Sequence, residues 1–179
     1  MKIREILLDI SEHLDKFAAQ SDELQAGLIV SEIINAKRVC ISGFERTYHC
    51  AGLYVDRLKL IGINSILVNP NNGFEFKNGD FLIIISTTKE SEYLDSLVEN
   101  AKNVKIKVAL FTSKMSSDIK KAVDYAVFVP EELMRNQKFE LISKNSIFSI
   151  SALSVLEAIA IEVQLGLIEM ANQDSEDEE

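Results

Sequence analysis

Hydroxyl side chains crowd one stretch of this chain: Ser86, Thr87, Thr88 and Ser91 put four hydroxyls into six positions, with Lys89 among them. They follow an unbroken apolar run, Phe81 to Ile85, and precede Leu94, Leu97, Val98 and Ala101, which recur at helical spacing. A strand passing through a polar turn into a helix near Ser91 leaves the first-turn N–H groups open and presents the positive end of the helix dipole. An anion ringed by hydroxyl donors would be held there, and phosphate is the obvious one. Taken alone, Thr88 or Ser91 serves equally well as a simple N-cap. A second stretch repeats the arrangement, because Arg38 to Ser42 is short and β-rich and Gly43 to Thr47 delivers the chain into another helix. It offers Ser42, Gly43, Arg46 and Thr47, so donors converge from two strands.

The elements around these turns alternate. The stripe Ile3, Ile6, Leu7, Ile10, Leu14 and Phe17 predicts a first amphipathic helix, and Leu24, Leu28, Ile29, Ile33 and Ile34 predict the buried face of a second over residues 22 to 36. Ala51, Tyr54, Val55, Leu58 and Ile61 mark the helix after the first strand. Further strands are expected over 64–68, 107–112 and 125–129, with a turn at 69–73 and a short helix carrying Ile119, Ala122 and Val123. A polar loop over 131–145 should lie above the carboxyl ends of the strands. A long final helix, Phe148 to Ile168, is apolar nearly all round. The pattern predicts a single-domain α/β fold, a three-layer αβα sandwich on a five-stranded parallel sheet, doubly wound and flavodoxin-like. Ligands of such sheets bind beyond the carboxyl ends of the strands at the switch point, where both polar turns would sit.

Composition bounds the rest. The chain has 179 residues, 47% of them hydrophobic, enough for one domain with a substantial core, expected over residues 1–171. Of the formal net charge of −9, five charges come from Asp174, Glu176, Asp177, Glu178 and Glu179, within a tail over 172–179 expected to be solvated and disordered. The mildly acidic body speaks against nucleic acid as a partner. The charged first helix reads as neither signal peptide nor membrane span, so a cytoplasmic protein with no membrane partner is expected. Cys40 and Cys50 form no CxxC and only His13 and His49 accompany them, which argues against a metal site or a disulfide framework, and no cofactor is expected.

The order of elements and both turns resemble the SIS (sugar isomerase) domain, most nearly its stand-alone 6-phospho-3-hexuloisomerase branch, over nearly the whole chain. That branch has a Gly-x-Gly-Arg-Ser turn after its first strand, which Gly43-Phe44-Glu45-Arg46-Thr47 matches at Gly43, Arg46 and the hydroxyl of Thr47, with Glu45 in place of the second glycine. Its third strand ends in a Ser-Gly-Ser-Gly-x-Thr-x-like run, which residues 86–92 resemble at Ser86, Thr88, Ser91 and Glu92 without either glycine. Arg57-Leu58 with Gly62, Thr112-Ser113 and Ala122-Val123-Asp124 are further matches. The resemblance implies a phosphosugar ligand bound by Ser42, Gly43, Arg46, Thr47, Ser86, Thr87, Thr88, Lys89 and Ser91.

The resemblance also implies a proton-moving glutamate at the start of the final helix and a histidine in the helix after the first strand. Here Ser149 and Ile150 stand at the first position and Leu60 at the second. His49, Glu45 or a glutamate of the 131–140 loop could substitute, although a histidine at a helix start is commonly just solvated and Glu45 is well placed to complement the helix dipole. Three functions follow: a sugar-phosphate aldose/ketose isomerase, a non-catalytic phosphosugar sensor, or an interaction protein without ligand. The all-round apolar last helix, together with the pairing habit of SIS-like domains, predicts a homodimer or homotetramer through the terminal helices.

Overall fold

The computed structural model describes residues 3–69, 74–87, 92–133 and 144–176. In chain order the elements are α1 (Ile3–Ala18), α2 (Glu23–Asn35), β1 (Arg38–Gly43), α3 (Arg46–Leu60), β2 (Ser65–Leu67), β3 (Asp80–Ile85), α4 (Glu92–Val104), β4 (Lys107–Thr112), α5 (Ser117–Ala122), β5 (Tyr125–Phe128) and α6 (Lys144–Glu176). All five strands pair in parallel in the order β2-β1-β3-β4-β5. The chain steps outward from β1 to β2 and then returns to lay β3 on the other side of β1, so the switch point lies between β1 and β3.

Every residue of β3 is buried, as its continuous apolar run requires of a central strand covered on both faces. The two-residue period sorts the strands between two cores. Val39, Ile41, Phe81, Ile83, Ile85, Ala109 and Phe111 pack with α2, α3 and α6, including Phe148, Leu156, Ile159 and Val163. Cys40, Leu82, Ile84 and Val108 point the other way, to Leu94, Leu97 and Ala101 of α4. Both cysteines are free and buried, and burial, with Asp80 nearby, pushes the Cys40 thiol up to about 12.

At the amino ends of the central strands Arg38 donates from Nε (3.0 Å) and Nη2 to the two carboxylate oxygens of Asp80, its register partner across β1 and β3. The Lys77 amide adds a third donor at 2.7 Å, and the guanidinium also lies over the Phe74 ring. Burial opposes charge on Asp80, but the hydrogen bonds from Arg38 and from the Lys77 amide outweigh it and hold the carboxyl below its ordinary range. This clamp fixes the register whose far end, Gly43 beside Ile85, opens onto the switch point.

Several sequence expectations need correction. In α1 the polar His13 is fully buried, and of the expected apolar stripe only Phe17 is, while Ile3 and Leu7 are exposed. In α2 Ile29 and Ile33 are buried, whereas Leu24, at 76% exposure, and Leu28 face outward. An amphipathic stripe reports only that some surface covers it, and a single chain leaves these residues uncovered. Helix α6 begins at Lys144 and so takes the end of the expected 131–145 loop, of which 134–143 lie outside the described residues. It also continues through Glu176, past the expected domain end at 171, so residues 172–176 are helical; residues 171–173 and Ser175 are exposed. By length and composition Ser146–Gln173 could cross a membrane, but half of its most apolar window is buried inside the fold, as in a core helix.

Candidate functional site

The two turns leave neighbouring strands on one edge of the sheet, one continuing from Gly43 and the other from Ile85. Gly43 is required by close approach, since a Cβ there would lie 2.5 Å from the Thr47 carbonyl oxygen and 2.8 Å from the Tyr48 nitrogen. The first turn of α3 is thus folded back against the strand end. Glu45, the N-cap of α3, has φ 51° and ψ −118°, a conformation that favours glycine, and its side chain makes no capping hydrogen bond. The resemblance expected glycine at this position, and the backbone has kept the glycine geometry with a glutamate in it.

Thr47 caps the turn instead. Its Oγ1 accepts from the Phe44 amide at 2.9 Å and lies 2.8 Å from the Phe44 carbonyl, and the residue is buried. Ser42 is fully buried and bonds inward, with Oγ 3.2 Å from the Val68 carbonyl and 2.9 Å from the Tyr93 hydroxyl. As an even-numbered position of β1 it faces α4. Two expected ligand donors therefore build the site. Tyr93, in the first turn of α4, ties the two turns together and carries no sequence signal that distinguishes it. Burial raises its pKa, against the opposing effect of Ser42.

Arg46 opens α3 and is exposed. Its Nε donates to Ser149 Oγ at 3.2 Å. Ser149 is the residue standing where the resemblance implies the glutamate, and here it orients a guanidinium that has four further N–H groups. Ser86 is buried, with its amide bonded to the Phe111 carbonyl at 2.9 Å. The Ser113 hydroxyl lies 3.2 Å from the Thr87 carbonyl and 2.9 Å from Glu131 Oε2, which brings a carboxylate from beyond β5 to this edge. Thr88, Lys89 and Ser91 lie outside the described residues.

Of the base candidates, His49 is exposed and meets Tyr48 edge to face at 6.3 Å, and Glu45 is exposed at the mouth of the turn. Leu60, at the implied histidine position, is 82% exposed on the outer side of α3. The structure thus brings together Gly43, Glu45, Arg46, Ser149, Ser86, Thr87, Ser113 and Glu131 around one strand edge. Two parallel strands end there, two helices begin just beyond, and an arginine and a carboxylate stand on either side. That arrangement can hold an anion and hydrogen-bond a polyol.

No family model matches the chain. It is 23% identical over 160 residues to an uncharacterized protein of Archaeoglobus fulgidus, covering 87% of each chain. Over 123 residues, 67% of this chain, it is 28% identical to the glutamine–fructose-6-phosphate aminotransferase (isomerizing) of Sulfurisphaera tokodaii, of which that match spans 20%. Among solved structures, a Methanococcus jannaschii protein, described with an inferred molecular function of 3-hexulose-6-phosphate isomerase, superposes with TM-score 0.73 at 23% identity, covering 91% of both chains. The Vibrio vulnificus NanR protein complexed with ManNAc-6P gives TM-score 0.75 at 14% identity, covering 98% of this chain and 68% of that one. An Escherichia coli CFT073 protein in complex with a phosphosugar gives 0.73 at 16%, covering 92% of both. The fold is therefore the α/β fold of sugar-phosphate isomerase and SIS-domain proteins, as the sequence predicts.

Proposed function

We propose that this protein binds a phosphorylated sugar at the switch point between β1 and β3 and acts as a sensor of it rather than as a 6-phospho-3-hexuloisomerase. The observation that carries this reading is the Arg46–Ser149 pair. An exposed guanidinium is held at the binding edge by the very residue that replaces the expected base. The phosphate is taken by Arg46 with the first turns of α3 and α4, and the sugar hydroxyls by the polar groups around Thr87, Ser113 and Glu131. Phosphosugar ligands in two neighbours of the same fold support the ligand class. Enolisation needs a base within about 2.6–3.2 Å of the abstracted proton, worth about 10² to 10⁴ in rate. Ser149 cannot accept a proton at neutral pH, and Leu60 has none to exchange.

A thermal-shift panel of hexose, pentose and aminosugar phosphates against their unphosphorylated parents tests the binding. A ligand at about 100 times its dissociation constant should stabilise the fold by roughly 2.7 kcal/mol. A flat panel would leave the interaction protein without ligand as the better reading. One observation favours isomerisation of some other sugar phosphate as the second reading: Glu131 reaches the binding edge from beyond β5. Turnover in the ordinary range of about 1 to 10³ per second on any panel sugar, abolished by Glu131→Gln, would establish it.

A further inference from the structure

The outer side of the molecule, away from the switch point, carries a groove between α3 and α6 of about 530 Å³. Leu53, Tyr54, Leu153, Leu156 and Ile161 line it, and Arg57 and Glu157 face each other across it at 2.7 Å. Tyr54 is 2% exposed, yet its hydroxyl has no hydrogen-bond partner among the described residues. A buried hydroxyl is normally paired, so something outside the single chain is needed to complete the floor of the groove. The rim is apolar, with Leu53 60% and Ile161 46% exposed.

The exposed residues of α6 on this side are Ser154, Ala158, Ile161, Leu165 and Ile168, stepping by four, three, four and three. That spacing keeps one seam facing a partner helix. The small residues at the start of the seam let another backbone approach closely. In α3 Leu53, Arg57 and Leu60 continue the surface beside it at the same helical phase. The charges complement themselves: one cation and one anion adjoin on the same face, so a two-fold axis through the groove sets each Arg57 against the partner's Glu157.

We propose that the α3–α6 face is the interface between two copies of this chain, packed α6 against α6 about a two-fold, with Arg57 and Glu157 exchanging partners across it. Such an isologous contact uses one patch twice and buries its own apolar rim. It is independent of any ligand at the switch point. Helix α6 keeps the role the sequence predicts for it, but its neighbour at the interface is α3 rather than α1.

Sedimentation equilibrium at micromolar concentration tests this with full-length protein. The wild type should run at twice the chain mass of 20.1 kDa or a higher even multiple. Arg57→Glu and Glu157→Arg should each lose half or more of that mass, because like charges then meet across the axis. Mixing the two variants should restore it. Within each variant the 57–157 pair remains like-charged, so recovery on mixing reports pairing between chains and only folded partners can give it. A wild type at 20.1 kDa, variants that keep the wild-type mass, or a mixture that stays dissociated would each overturn the interface.

Discussion

Two residues at the switch point carry opposite kinds of stress. Glu45 sits in a glycine conformation, which costs an ordinary residue about 1–3 kcal/mol, set against the few tenths to about 1 kcal/mol that a carboxylate gains at a helix N-terminus. Glu45→Gly should therefore stabilise the fold by about 1 kcal/mol, raising the melting temperature by about 2–4 °C for a chain of this size. Glu45→Ala keeps the strain and loses the charge, so it should not stabilise. Equal melting shifts for the two variants would remove strain as the explanation. Arg46, by contrast, is held by Ser149 with donors to spare. Arg46→Ala should weaken sugar-phosphate binding by about 10- to 100-fold, the range of hydrogen bonds to charged groups, with no loss of thermal stability in the unliganded protein. Calorimetric titration of the variant with a sugar phosphate that binds the wild type checks this.

Among the elements, the strand pair β1–β3 and helix α1 are held in different ways. Asp80→Asn removes the charged partner of Arg38 and should cost about 1.5–3 kcal/mol of stability, measurable by urea denaturation. Because the folded carboxyl titrates below its ordinary range, its contribution is present above about pH 4 and fades as pH falls further. Helix α1 rests on His13 and Phe17, with His13 Nε2 2.8 Å from Ser151 Oγ of α6. Burial lowers the His13 pKa from its ordinary 6.5. The unfolded chain then takes up a proton first as the pH falls, so stability is full above about 6.5 and is lost below it. His13→Gln should lose less stability than the wild type between pH 7.5 and 5.5, and parallel losses in the two proteins would contradict this role. Sequence patterning located every element, because periods of two and 3.6 survive whatever the tertiary contacts are. It could not tell which apolar residues of α1 and α2 a single chain covers, as Leu7 and Leu24 show. Nor does a count of hydroxyls give their direction: Ser42 and Thr47 look like ligand donors in sequence, yet each is occupied in holding its own turn. The loss of the second glycine was legible at Glu45, but the retained backbone geometry was not.

For the molecule as a whole, the larger core joins Ile29 of α2, Phe81 of β3 and Phe111 of β4 to Phe148, Leu156 and Val163 of α6. Phe148 is fully buried there, and Phe148→Ala should cost about 3–5 kcal/mol, read as a lowered urea midpoint. A chain stopped before Lys144 would leave that whole sheet face open, and it should bind a hydrophobic dye and melt without cooperativity. The same fact has a bearing on how the protein comes into being. Each strand pairing in this sheet is parallel and must wait for a crossover, so little of the fold can form from local contacts. Helix α6 is the last of these elements to leave the ribosome. Until it emerges, the nascent chain has an exposed sheet face rich in isoleucine, valine and phenylalanine, and aggregation competes with folding for as long as that interval lasts. Selection for rapid completion, or for a chaperone that shields this one face, would act on the nascent chain and leave no trace in the finished site.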